Sequence, residues 1–241
     1  MVKKMIDFKL ELEKIAKENN FLNETVEIKP INIDLKSKTI NDYPLMNGKE
    51  FLLRAFFKNS VGDAFTDNLA EFKGKISDVI SSKNNPMIIA TLNAVMRHLK
   101  IIEKTEHCNK DEPELCAKEL ETYLLNSVGK DVKIGIIGYH PAIIKQMVLT
   151  FGKENVIATD MDLENIGRIK QGIFIMHGEM NEYLVENSDI ILSTGSTVAN
   201  ETLFEILNFS KKYGKKIIFY GTTIACAAEI LGLERFCALG K

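Results

Sequence analysis

The chain has 241 residues, 45% of them hydrophobic and 27% charged, which allows one large or two small domains with an ample core. Its formal net charge of −2 gives no electrostatic case for nucleic acid or an anionic membrane as partner. Four cysteines do not make a disulfide framework, no apolar signal core follows Lys3 and Lys4, and no run approaches the ~18 apolar residues of a membrane span, so a cytoplasmic protein with reduced thiols is expected.

Phe8, Leu12, Ile15 and Ala16 form the apolar stripe of an amphipathic helix from Ile6 to Lys17, ended by Asn19-Asn20. Val26, Ile28, Ile31, Ile33 and Leu35 then alternate near period two and slip at Pro30. That predicts a strand with a bulge or at an edge, because proline cannot donate to a ladder. Tyr43-Pro44 to Asn47-Gly48 reads as a turn region and Phe51 to Phe57 as a second strand running back along the first. Asn59 to Gly62 is the next turn, and Gly62 to Thr66 resumes as a short extended piece. Two helices follow, a weak one over Lys75 to Ser82 and a stronger one over Pro86 to Lys100, whose proline suits a first helical position. Asn93 sits among Ile88, Leu92, Val95 and Met96. A buried asparagine must find partners, so it is either a member of a polar network or a ligand contact. Strands followed by helices predict a small α+β domain over residues 1–105.

Residues 106–130 read as a helical linker. His107 and Cys108 are adjacent, and Cys116 lies one turn into a helix started by Pro113. Imidazole and thiolate are the preferred ligands of zinc and softer divalent transition metals, so these three are candidate metal ligands, although their spacing matches no standard finger. The same stretch also reads as an acidic linker whose Asp111 and Glu112 lead into a helix N-terminus.

From Val132 strands and helices alternate. Val132 to Ile137 is a strand, Gly138-Tyr-His-Pro141 a turn, and Pro141 starts a helix to Phe151. Val156 to Thr159 is the second strand, ending at Asp160, and Gly172 to His177 a third, edge strand. Asp189 to Thr194 is the next, followed by a turn around Gly195 and a helix from Val198 to Tyr213. Lys216 to Tyr220 is another strand, then comes a helix to Leu231 and a short final strand at Phe236 to Leu239. This alternation predicts a Rossmann-like, doubly wound parallel sheet over residues 106–241, an α/β fold. Right-handed crossovers place the first strand beside the Asp189 strand, with both turns facing one crevice.

Ser196 or Thr197 suits the N-cap of the helix at Val198, and the free backbone N–H groups there are placed to hold an anion or polar ligand. The bulky Tyr139 and His140 stand where a pyrophosphate needs bare backbone, which argues against NAD. Asp160 is positioned to accept from ribose hydroxyls, which leaves a nucleoside or S-adenosylmethionine open. His140 is a candidate general base or metal ligand, and Tyr139 a candidate to stack or donate. His98 and His177 have no obvious partners, and Cys226 and Cys237 read as inert buried thiols.

Gly138-Tyr-His-Pro141, the Asp160 strand end and Thr194-Gly-Ser-Thr-Val-Ala-Asn200, in that order, resemble the bacterial and archaeal family known as a heavy-metal chelation domain. Gly62-Asp-Ala-Phe-Thr66 and Ala90-Thr-Leu-Asn-Ala94 resemble the domain that commonly precedes it. The resemblance implies a Rossmann-like C-terminal domain, an N-terminal domain similar to the enolase N-terminal fold, and a site in the cleft between them, with no particular reaction. Glu201 stands where many members have glycine, and a carboxylate there would repel an anionic ligand. The expectation is a cleft that binds a small polar or metal-chelating molecule. Tyr139, Asp160, Ser196, Thr197 and Asn200 would line it, together with Gly138 and the backbone of Gly195. His140 and Asn93 are the catalytic candidates should the protein be an enzyme. The alternatives are metal handling by His107, Cys108 and Cys116, and a transferase using a nucleoside cofactor of the S-adenosylmethionine type. The expected partner is a small molecule, with a homodimer as the candidate assembly.

Overall fold

The computed structural model of the chain describes residues 6–31, 51–67, 69–108 and 112–241. Helix α1 (Phe8–Glu18) starts where the Asp7 carboxylate accepts from the backbone N–H groups of Lys9 and Leu10, and it turns Phe8, Leu12 and Ala16 inward. Four strands follow, β1 (Thr25–Ile31), β2 (Phe51–Phe57), β3 (Ser60–Thr66) and β4 (Phe72–Lys75), in an antiparallel sheet of order β3-β2-β1-β4. The β2–β3 hairpin is tighter than predicted. Phe57 pairs with Ser60 across a turn at Lys58 (φ +52) and Asn59, so Val61 and Gly62 belong to the strand. Strand β4 was not anticipated. It pairs with β1 over Thr25 to Ile28, so among the described residues Pro30 lies where that side of β1 is unpaired and a missing N–H does no harm. Ile33, Leu35 and the turn predicted at Tyr43 to Gly48 lie outside the described residues.

Helices α2 (Ile76–Ser82) and α3 (Asn85–His98) complete this half. Every residue of α3 from Met87 to Met96 is buried, because the helix packs on β2 and β3 and has α1 and α8 as further neighbours. A helix apolar on all sides is one with neighbours on all sides.

The second half runs α4 (Glu112–Val128), β5 (Ile134–Ile137), α5 (Pro141–Phe151), β6 (Val156–Asp160), β7 (Ile169–Lys170), β8 (Ile173–His177), α6 (Asn181–Glu186), β9 (Ile190–Thr194), α7 (Leu203–Tyr213), β10 (Lys216–Tyr220), α8 (Ala225–Leu231) and β11 (Arg235–Phe236). Its sheet has the order β11-β10-β9-β5-β6-β8-β7, parallel throughout except for β7 against β8. Counting the parallel strands as they enter the chain gives the Rossmann order 3-2-1-4-5-6, with the switch point between β5 and β9. Strand β8 is not the edge, since Ile169 and Lys170 of β7 pair along its outer side.

Helix α7 begins at Leu203, not at Val198. Gly195 to Val198 form a 3-10 turn and Glu201 takes φ +66. A partner in the other half of the molecule takes up the carbonyls left free. Asn85 Nδ2 of α3 donates to the carbonyls of Val198 (2.8 Å) and Ala199 (2.9 Å), which in a helix from Val198 would accept from Thr202 and Leu203. Neither Ser196 nor Thr197 is therefore the cap of a long helix, and Glu201 is not in a first helical turn. One apolar cluster joins Leu53, Phe57, Ile89 and Leu92 of the first half to Phe219, Ile224 and Leu231 of the second. Another lies under α4 and α5, around Leu120, Leu124, Ile144, Met147, Ile136 and Leu192.

Candidate functional site

The carboxyl ends of β5 and β9 turn away side by side. Gly138 has φ +91, and a Cβ there would lie 2.6 Å from Thr194 Cγ2, so only glycine lets the two turns approach this closely. Gly195 meets the next turn instead: a Cβ would lie 2.9 Å from Ile224 N and 3.0 Å from Tyr220 O. Both glycines thus have a packing reason apart from any ligand. The hydroxyls of the β9 turn close the turn itself. Ser196 N donates to Thr194 Oγ1 (3.3 Å), and Thr197 Oγ1 donates to Thr194 O (2.9 Å). Asn200 Oδ1 accepts from Thr202 N (3.2 Å) and Thr202 Oγ1 (2.7 Å).

On the β5 side, Tyr139 N donates to Asp160 Oδ2 (2.5 Å) and Asp162 N to Asp160 Oδ1 (2.6 Å). Burial pushes the Asp160 pKa up while these backbone donors oppose the shift. Each carboxylate oxygen accepts one backbone bond, so Asp160 clasps two turns and keeps lone pairs for a further donor. His140 is the N-cap of α5, its Nδ1 accepting from Ile143 N at 3.5 Å, which assigns the imidazole proton to Nε2. Burial, with a further contribution from His107, drives its pKa down to about 4. Its ring stands edge-on to Tyr220, centroids 5.8 Å apart, and Tyr220 OH donates to Gly138 O (3.1 Å).

The far wall comes from the first half and the linker. Arg54 grips fully buried Asp63 with Nε (2.7 Å) and Nη2 (2.8 Å) and reaches Glu106 with Nη1 (2.6 Å). Burial opposes the Arg54 charge, but the two carboxylates outweigh it and raise its pKa. Asp63 Oδ2 also accepts from His107 N (2.7 Å), and Asp63 N donates to Thr105 O (2.9 Å), so the segment carrying His107 is pinned to β3. The His107 ring lies edge-on to Phe65 at 5.2 Å, and its Nδ1 bonds Cys108 O (2.7 Å). Burial lowers the His107 pKa, raises that of Cys116 and lifts that of Cys108 to about 12, where Cys116 and Cys237 add to the effect.

These walls enclose a cavity of about 190 Å³. Gly138, Tyr139, His140, Asp160, Gly195, Ser196, Thr197 and Asn200 all line it, as do His107, Cys108 and Cys116. Asn93 does not. It is fully buried, Nδ2 donating to Asp63 O (3.0 Å) and Thr223 O (3.1 Å) and Oδ1 accepting from Cys226 N (2.8 Å). Its role is to bind the two halves together, which removes it from the catalytic candidates. The candidate metal ligands His107, Cys108 and Cys116 share the cavity wall without forming a ready-made cluster. Among the described residues no group of three or more His, Cys, Asp or Glu side chains is disposed to hold a metal ion. Cys237 is not the inert buried thiol expected; it is half-buried and lines the cavity, whereas buried Cys226, with a pKa of about 12, fits that description. Sequence reasoning also missed Phe65, Asn181, Tyr220, Thr222 and Thr223 in the wall. Thr222 and Thr223 follow β10 as Thr194 to Thr197 end and follow β9, so strand-end position was a usable signal for them. His98 and His177 do have partners, Asn59 Oδ1 and the N–H of Glu179.

Comparison with known proteins places the chain. The family model described as DUF364, "Putative heavy-metal chelation", matches residues 122–241. An uncharacterized protein of Methanocaldococcus jannaschii is 46% identical over 41 residues, 17% of this chain and 68% of that protein. A crystal structure of a protein of unknown function from the DUF364 family of Pyrococcus horikoshii superposes with a TM-score of 0.52 and 16% identity, covering 90% of this chain and 77% of that one. Another from Desulfitobacterium hafniense gives 0.50 and 13%, covering 93% and 83%. At these identities the structural likeness concerns the fold. No helix among the described residues is long and apolar enough to cross a membrane.

Proposed function

The chain belongs to the DUF364 family, and from that premise we propose that its crevice at the β5–β9 switch point binds a small polar molecule. The observation that supports this is convergence. The turns after β5, β6, β9 and β10, the pinned His107–Cys108 segment and α4 all face one cavity, at the place where open α/β sheets hold their ligands. Its volume of about 190 Å³ lies below the roughly 300–1,000 Å³ of sites for drug-sized ligands, which favours a small metabolite over a dinucleotide. Binding is favoured over general-base catalysis, because an imidazole with a pKa of about 4 is a weak base at neutral pH. A nucleoside cofactor has less support, since the cavity of about 190 Å³ is smaller than sites for drug-sized ligands.

The test is a thermal-shift panel of small metabolites on the wild type, His140→Ala and Asn200→Ala. Compounds that raise the wild-type melting temperature should do so less in both variants. Responses preserved in both variants refute the crevice as the site.

One observation favours a second reading, soft-metal handling. Cys237 joins His107, Cys108 and Cys116 in the same wall, which gathers three thiols and an imidazole around one cavity. The donors would have to close in on the ion, which would displace the thiol protons as it bound. Titration with zinc or nickel decides it: proton release and a raised melting temperature support it, and an indifferent protein refutes it.

A further inference from the structure

Asp160 is the one side chain that brings a fixed charge to the crevice wall. Among the described residues lining the cavity there is no lysine, arginine or glutamate and no second aspartate. Its carboxylate accepts backbone N–H groups, from Tyr139 (2.5 Å) and Asp162 (2.6 Å), and makes no ion pair with any described residue. Burial pushes its pKa up, the Asp162 carboxylate adds to that, and backbone donors oppose it without any help from a cation. Lys170, which stands over the Tyr139 ring at 4.9 Å, gives its ammonium to Asn165 Oδ1 (2.7 Å). A partly buried carboxylate with spare lone pairs and no counter-charge gains more from an arriving cation than from a neutral donor.

The rest of the wall is the second, independent observation. The rings of Phe65, Tyr220 and Phe236 line the cavity together with Leu120, Ile137 and Ile143. Aromatic rings attract cations, and aliphatic side chains take up hydrocarbon without needing hydrogen bonds. An anion entering would lose its water and meet Asp160 with no fixed cation to balance it. A hard dication such as magnesium or calcium takes about six or more ligands, chiefly oxygen, and the wall offers it a single carboxylate. Soft metals would go to the thiols of the second reading and not to Asp160.

We infer that the crevice takes a small organic cation, an amine whose ammonium N–H groups donate to Asp160 and whose hydrocarbon part lies against the rings. This rests on the crevice being the binding site and names the class of its ligand. Benzylammonium, benzyl alcohol and benzoate are close in shape and differ in charge, so they serve as probes for calorimetry or ligand-detected NMR on the full chain. The comparison uses the wild type, Asp160→Asn and Cys116→Phe. The first keeps the size of the side chain and removes its charge, and the second fills the cavity from α4 and leaves the carboxylate in place.

Benzylammonium should bind the wild type at least about tenfold more tightly than benzyl alcohol or benzoate, the range of one charge-assisted hydrogen bond. Asp160→Asn should bring it down to the level of benzyl alcohol, whose own binding stays unchanged, and Cys116→Phe should remove both. Asparagine loses an acceptor for one of the two backbone groups, so circular dichroism checks the fold of Asp160→Asn. Should that variant not fold, the preference in the wild type and its loss in Cys116→Phe carry the decision. A preference for benzylammonium retained in folded Asp160→Asn overturns the role of Asp160. Benzyl alcohol or benzoate bound as tightly as benzylammonium, and lost in Cys116→Phe, overturns the cationic class and keeps the crevice. Benzylammonium binding undiminished in Cys116→Phe lies outside the cavity and overturns the inference. Binding of none of the three also overturns it, while the thermal-shift panel still decides the crevice.

Discussion

Replacing Asn93 with alanine removes the amide that ties α3 to the turn between β10 and α8. Three buried backbone groups lose their partner: the carbonyls of Asp63 and Thr223 and the N–H of Cys226, at 3.0, 3.1 and 2.8 Å. Each buried group left unpaired costs about 1–3 kcal/mol, so with partial relaxation the loss should be about 3–6 kcal/mol. For a chain of this size that lowers the melting temperature by roughly 10 °C or more. Asn93→Asp is no rescue, because it keeps the acceptor for Cys226 N, loses both donors and buries a charge. Urea unfolding followed by circular dichroism, with the slope checked for constancy, measures the difference. A loss below about 1 kcal/mol for Asn93→Ala would mean that the halves are held by apolar contact alone and that the amide network is incidental.

Three further outcomes follow from the same geometry. His140 titrates near 4 in the folded chain against 6.5 when unperturbed, so between those values the unfolded chain holds a proton that the folded one does not. Its contribution is therefore complete above about pH 6.5 and falls away towards pH 4, by at most about 3 kcal/mol. His140→Gln should flatten that part of the stability–pH curve, and an unchanged slope contradicts the assignment. Asp63→Asn leaves Arg54 buried with Glu106 alone and loosens the segment bearing His107. It should cost about 3 kcal/mol and speed hydrogen exchange at the His107 amide, and unaltered exchange there refutes the pinning argument. Cys226, fully buried and with its pKa raised to about 12, should resist thiol reagents in the native protein while half-buried Cys237 reacts. Mass mapping of the labelled cysteines checks this, and early modification of Cys226 contradicts it.

Much of the fold was legible because its periodicities are local. The alternation from Val132 onwards, with short links, was enough to place β5 beside β9 through the right-handed crossover rule, and the pairing of Ile134 to Ile137 with Ile190 to Ser193 bears that out. Most of the crevice followed, since strand ends at a switch point are found by topology. What was not legible depends on partners distant in sequence. The delayed start of α7 is accompanied by bonds from Asn85, more than a hundred residues away, and nothing in the run from Val198 to Leu207 signals them. Short β4 carries too little pattern, and Cys237 looks inert until the tail is seen beside Cys108 and Cys116. Asp160 lines the cavity as its strand-end place suggested, but the bonds it accepts from Tyr139 N and Asp162 N, which fix two turns, depend on backbone positions no local pattern shows.

The most direct test of the crevice is untargeted mass spectrometry of small molecules released by denaturing the purified protein, wild type beside Cys116→Phe. The larger ring replaces a thiol of the cavity wall and fills much of its space, and circular dichroism confirms that the variant is folded. A small polar molecule recovered from the wild type and missing from the variant is the predicted result. The same molecule recovered from both, or none from either, contradicts the claim that this cavity is the binding site.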